Sequence, residues 1–183
     1  MSAHHNHPYE SFEITFDSGS NLKDLWQPLH SLARRGQVAL VERQLHAGAH
    51  PDDRDASGTT ALHWAAHNGH LAVARALIVH GADLEVRDAR MQAPPLHWAI
   101  LMRRADMAEL LLEASCDPNA TNKWGESAIL LAVYDGELEI VARLLRAGAR
   151  TDRPSPLGRG LIDIALERGY RGIAALLRTP ARA

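Results

Sequence analysis

The chain has 183 residues, is 46% hydrophobic and 23% charged, and carries a formal net charge of −2, an ordinary globular composition with length for one domain or a short repeat array. That balance argues against nucleic acid or an anionic membrane as partner, and the longest apolar run, Ala128 to Tyr134, falls far short of the roughly 20 residues of a membrane span. The single cysteine, Cys116, excludes an intramolecular disulfide, and with no basic-then-apolar leader the protein is expected to be cytoplasmic.

Residues 1–21 differ in pattern from the remainder of the chain. Phe12, Ile14 and Phe16 alternate with Glu13 and Thr15, which predicts a short extended segment. It is expected either to lie against the first helical unit as a cap or to serve as a linear motif. His4, His5 and His7 read as an incidental tail rather than a chelating site. Ser18 to Asn21 form a joint into residues 22–183.

From residue 22 the chain repeats. Leu29, Leu62, Leu96, Ile129 and Ile162 succeed one another at spacings of 33, 34, 33 and 33. A second anchor, Gly48, Gly81, Ser115 and Gly148, recurs in the same register at 33, 34 and 33. Within the best-formed unit, Thr60 is placed to cap a short helix whose Leu62, Ala65 and Ala66 share a face. Gly69 ends that helix, and a second one carries Leu71, Val73, Ala74, Leu77 and Ile78 to Gly81. A polar loop rich in turn residues leads to the next unit. Helices this short do not stand alone in water, so the units must stack.

Two segments carry a family signature: Thr60-Ala61-Leu62-His63-Trp64-Ala65 and Pro94-Pro95-Leu96-His97-Trp98-Ala99. A degenerate copy stands at Ser127-Ala128-Ile129-Leu130-Leu131-Ala132, and Leu77 to Asp83 and Leu144 to Ala149 close their units alike. The chain resembles the ankyrin-repeat family. The resemblance implies an all-α solenoid of helix-turn-helix units with hairpin-like loops, in five repeats at about 22–54, 55–88, 89–121, 122–154 and 155–179. The first and last depart from the pattern, as capping units do.

The same resemblance makes His30, His63 and His97 structural. His63 and His67 have metal-ligand spacing, but Trp64 stands where a catalytic Glu would be. Gly158-Arg159-Gly160 lacks the third glycine and the strand of a dinucleotide fingerprint. Cys116 fills a small-residue slot, and Glu137 and Glu139 suit a helix start. No cofactor, metal or catalytic residue is therefore expected, and no enzyme. The cations are nearly all arginine, as high-GC bacterial coding produces. Those from Arg143 to Arg182 make a local basic face, either solvated or a docking patch.

The resemblance also implies a partner surface at the hairpin tips and first helices. Those positions carry Met91, Leu101 and Met102 in the third unit, and Lys123, Trp124, Glu126, Tyr134 and Asp135 in the fourth. Trp, Tyr and Met are favoured at interface cores. Trp64 and Trp98 are instead expected in the core. The third unit breaks its own pattern: one extra loop residue, Pro94 for the capping Thr, and Arg103 for the helix-ending glycine. A protein partner of a chain that is monomeric when free is the expectation; a dedicated inhibitor or immunity protein, a self-associating oligomer, and a metal-binding protein or enzyme are the alternatives.

Overall fold

The computed structural model describes residues 27–179; the expected extended segment at 12–16 lies outside them. Ten helices come in five pairs: α1 Leu29–Arg35 with α2 Val38–His46, α3 Ala61–Asn68 with α4 Leu71–Val79, α5 Pro95–Leu101 with α6 Ala105–Glu113, α7 Ala128–Asp135 with α8 Leu138–Arg146, and α9 Leu161–Glu167 with α10 Arg171–Arg178. Among the described residues, extended pairing is confined to two isolated antiparallel bridges, Arg54–Thr60 and Thr121–Ser127, at hairpin bases.

The first helices pack in one layer, α1 on α3, α3 on α5, α5 on α7 and α7 on α9. The second helices stack as a parallel layer, α2 on α4, α4 on α6, α6 on α8 and α8 on α10. Ala65, Ala99, Ala132 and Ala165 recur at one register position in the first layer and are all fully buried. A methyl there lets neighbouring helices approach closely enough for Leu62, Leu96 and Ile129 to interlock. At the last described unit Leu166 is exposed, at the register position that is buried in earlier units as Ile100 and Val133, and no further helix pair among the described residues covers it.

Hydrogen bonds join each unit to the next as well. Asp83 N–H donates to Asp52 Oδ1 (3.0 Å), Asp117 N–H to Glu85 Oε1 (2.7 Å) and Arg150 N–H to Asn119 Oδ1 (2.8 Å). The signature histidines form a second link. His63 Nε2 faces the Ala93 carbonyl at 3.1 Å and therefore carries the proton, leaving Nδ1 to accept from the Thr60 hydroxyl at 2.8 Å and the Thr60 N–H at 3.3 Å. His97 Nε2–H likewise donates to Glu126 O at 3.0 Å. Its Nδ1 is buried without a partner, because Pro94 has neither hydroxyl nor N–H.

The irregularities of the third unit have local compensations. Its hairpin closes from Asp88 N–H to Ala93 O, five residues on, where Asp55 to Thr59 and Asn122 to Glu126 span four. Gln92 absorbs the extra residue at φ 52°. Arg103 sits at φ 54° where Gly69 takes 77° and Gly136 takes 74°. A side chain there costs about 1–2 kcal/mol. Arg103 Nε meets Glu137 Oε1 of the next unit at 3.1 Å, a partial offset.

Restoring the capping hydroxyl with Pro94→Thr is expected to stabilise the fold. Satisfying a buried acceptor gains about 1–3 kcal/mol, against about 0.4–1 kcal/mol for the greater freedom of the unfolded chain. Thermal denaturation should show a midpoint about 2–4 °C higher. An unchanged or lower midpoint would mean that the Nδ1 atom costs the protein nothing.

Burial lowers the pKa of both His63 and His97, and the bonds to Ala93 O and Glu126 O only partly oppose it. Below about pH 6.5 the unfolded chain then takes up protons that the folded chain refuses. The stabilisation is complete above that pH and is lost as pH falls. Melting midpoints should decline from pH 7.5 to pH 5.5, with a shallower decline in His97→Gln.

Candidate partner-binding cleft

Each hairpin is held by a polar side chain at its root. Asp55 Oδ1 accepts the N–H groups of Ser57 and Thr59 at 2.9 and 3.0 Å. Asp88 Oδ1 accepts those of Arg90 and Met91 at 2.8 and 2.7 Å, while its Oδ2 takes Ala93 N–H at 3.1 Å. Asn122 Oδ1 accepts from Trp124 and Glu126, both at 3.0 Å, and Ser155 Oγ accepts from Arg159 at 3.1 Å. The four recur at 33, 34 and 33 residues. They make the hairpins rigid platforms rather than loose tips.

The two aspartates have a second task. Trp64 Nε1–H donates to Asp55 Oδ2 at 2.9 Å, and Trp98 Nε1–H to Asp88 Oδ2 at 3.2 Å. Burial pushes both carboxyls up, but the hydrogen bonds outweigh it: Asp55 is lowered to about 2, and Asp88 is also lowered. Tethered in this way, the indoles stand beside each other, edge to face, with ring centres 5.6 Å apart. His67 completes the group at 5.9 Å from Trp64 and 5.7 Å from Trp98.

This corrects the expectation that Trp64 and Trp98 belong to the core. They pack on it but are only half-buried, and they form walls of a cleft of about 330 Å³. Met91, Leu101 and Met102 line the same cleft, together with Arg90, Ser57 and Thr59. Sequence reasoning missed Trp64, Trp98, Asp55 and Asp88. The signal was present: each tryptophan comes nine or ten residues after a hairpin-root aspartate.

The other expected surface residues fall in two further places. Trp124 is 52% exposed at the next hairpin tip, with Lys123 Nζ 4.6 Å above its ring. Lys123 joins that tip to the cleft, its N–H donating to Met91 O at 2.9 Å and its ammonium to Arg90 O. Tyr134 and Asp135 lie at the end of α7. The Tyr134 ring is half-buried under the Arg168 guanidinium at 4.9 Å, and the Asp135 carbonyl accepts from Arg103. Glu126 is committed to its own hairpin: its carboxylate accepts from Asn122 Nδ2 at 2.9 Å and its carbonyl from His97.

Among the described residues, no group of three His, Cys, Asp or Glu side chains is placed to hold a metal ion. No described helix is long and apolar enough to cross a membrane. Cys116 is buried, and desolvation pushes its thiol up to about 12, which leaves it a poor nucleophile.

The family description that matches the chain is ankyrin repeats (three copies), over residues 29–122 and 96–182. Human cyclin-dependent kinase 4 inhibitor B is 31% identical over 151 residues, covering 82% of this chain and 85% of that protein. The chicken nuclear factor NF-kappa-B p105 subunit is 31% identical over 172 residues, covering 91% of this chain and 18% of that protein. Palmitoyltransferase AKR1 of Lachancea kluyveri is 27% identical over 142 residues, or 76% of this chain, which spans only 19% of that enzyme's length.

Asp88→Ala would strand three backbone N–H groups and the Trp98 indole. The expected loss is about 2–3 kcal/mol, a fall of about 5–10 °C in the melting midpoint. Asp88→Asn, which keeps one acceptor oxygen, should fall between. An alanine variant that melts with wild type would show that the hairpin holds without its root.

Proposed function

This chain belongs to the ankyrin-repeat family, and we propose that it is a protein-interaction module holding its partner on the face built by the hairpins and first helices. The observation that carries the reading is the continuity of large apolar side chains there. Met102 is 39% and Trp124 52% exposed, flanking a cleft walled by two indoles. Isolated exposed side chains such as Val79 are ordinary, whereas a contiguous aromatic and methionine surface on rigid supports suits an interface core. We take Met91, Leu101, Met102, Lys123, Trp124, Tyr134 and Asp135 as contact residues, with Trp64 and Trp98 added. Glu126 supports the surface from behind. The palmitoyltransferase relatives match through a small part of their length, so their chemistry does not carry over. On this reading the protein is a non-enzymatic, cytoplasmic monomer when free.

A second reading has one observation in its favour. The human kinase inhibitor aligns over 85% of its own length, so a chain of little more than this array is named as an inhibitor. Here, too, binding would itself be the output, by neutralising an enzyme or a toxin.

The test begins with affinity capture of a partner, followed by titration of the purified pair. Met102→Ala with Trp124→Ala removes two anchors without touching a buried side chain. The expected result is at least about tenfold weaker binding with an unchanged melting midpoint. Equal affinity would move the interface elsewhere, first to the arginine-rich last unit. Loss of a captured enzyme's activity at one equivalent of this protein would select the inhibitor reading.

A further inference from the structure

The cleft between the second and third units combines apolar walls with cations that have no acidic partner. Trp64, Trp98, Met91, Leu101 and Met102 supply the walls. Among the described residues, Asp88 is the one acid that lines it. Its buried carboxylate accepts from four donors, the N–H groups of Arg90, Met91 and Ala93 and the Trp98 indole. Asp55, which tethers Trp64, also accepts from four, the Ser57 N–H and hydroxyl, the Thr59 N–H and the Trp64 indole. Four donors fill the lone pairs of a carboxylate, so neither acid has an oxygen left for an incoming cation.

The cations are placed by their contacts. Arg90 lines the cleft, Arg34 lies over the Trp64 ring, and the Lys123 ammonium donates to Arg90 O. All three are exposed, and none takes part in an ion pair among the described residues. An aromatic face attracts cations, and here the chain supplies its own. Arg34 Cζ lies 5.1 Å from the Trp64 ring centre, Lys123 Nζ 4.6 Å from that of Trp124 and Arg168 Cζ 4.9 Å from that of Tyr134. A partner's ammonium or guanidinium brought to these rings meets a like charge, whereas a carboxylate meets an opposite one. The walls ask for a ring: indole edges and the thioethers of Met91 and Met102 both pack well on aromatic side chains. A benzene-sized guest needs about 150 Å³, so a cleft of about 330 Å³ admits a large aromatic side chain whole.

We propose, on the protein-interaction reading of this face, that the cleft receives an aromatic side chain from an acidic segment of the partner. The ring enters between Trp64, Trp98 and Met102, and carboxylates beside it pair with Arg34, Arg90 and Lys123. Burial of the ring supplies the affinity, while the charges steer the encounter and exclude basic segments. Binding therefore weakens as salt rises.

The test titrates the full chain with N-acetylated pentapeptide amides. The first has a central Phe flanked on each side by two Asp; the others replace Asp by Lys, Asp by Ser, or Phe by Ser. The readout is the indole N–H resonances of Trp64 and Trp98, assigned with Trp64→Phe and Trp98→Phe. The Asp–Phe peptide is expected to shift both signals saturably, with a Kd of about 1 mM. The two Ser peptides should bind at least about tenfold more weakly, and the Lys peptide should give no saturable shift. Arg34→Gln with Arg90→Gln, both exposed, should keep the melting midpoint and weaken the Asp–Phe peptide about tenfold. A Lys peptide that binds as tightly overturns the proposal, since the cleft would then hold a cation. So does equal binding of the peptide with Ser for Asp, unchanged affinity in the arginine variant, or the absence of any shift at about 10 mM of the Asp–Phe peptide. Partner affinity of the Met102→Ala, Trp124→Ala protein is read separately, so failure here leaves the interaction reading standing.

Discussion

No helix in the described array exceeds nine residues, and the whole architecture depends on that constraint. Such a helix loses more chain entropy than its own hydrogen bonds return. Each pair persists only because its neighbours cover its apolar face, and the covering must repeat at fixed distance. The alanine at one register position of four first helices sets that distance. The histidine two residues before it, where present, ties the helix start to the next hairpin. Short helices, a constant methyl and a link to the next unit are parts of one solution.

The rigidity so produced is what makes the hairpin face usable. A binding surface on loops ordinarily loses affinity to the ordering of those loops. Here the roots at Asp55, Asp88, Asn122 and Ser155 have already ordered them. Arg54 and Arg87 reach across to the carbonyls of Arg87 and Thr121, at 2.9 and 2.5 Å, so successive hairpins also brace one another. Aromatic side chains set on such supports need little further ordering on contact.

Much of this was legible in the amino-acid order, because repetition averages out local ambiguity. Two anchors in one register locate helix ends that a single unit would leave uncertain. Gly36, Gly69 and Gly136 end their helices as glycine should, all at positive φ. The placement of Trp64 and Trp98 was not legible in the same way. An apolar residue beside a structural histidine reads as core, and a leucine at that position in the fourth unit, Leu131, is indeed buried. An indole differs in carrying a donor that must be satisfied. That donor turns the ring toward the hairpin carboxylate and leaves part of it open. Arg103 was misleading in the opposite sense, since its broken rule has a partner in Glu137 that pattern alone does not reveal.

The hairpin roots show how one choice enforces another. A root needs a single acceptor oxygen to hold its backbone N–H groups, and Asn122 and Ser155 each offer one. Both precede an apolar residue at the tryptophan register, Leu131 and Ile164, which asks nothing of them. Asp55 and Asp88 have two oxygens, and both precede a tryptophan, whose indole takes part of the second. The pairing of Asp with Trp, and of Asn or Ser with Leu or Ile, is thus a matter of counting donors against acceptors. Where the count needs two oxygens the indoles line a cleft, and where it needs one the residue at that register is buried. The cleft lies between the second and third units because only there do two neighbouring units both carry the aspartate and the indole.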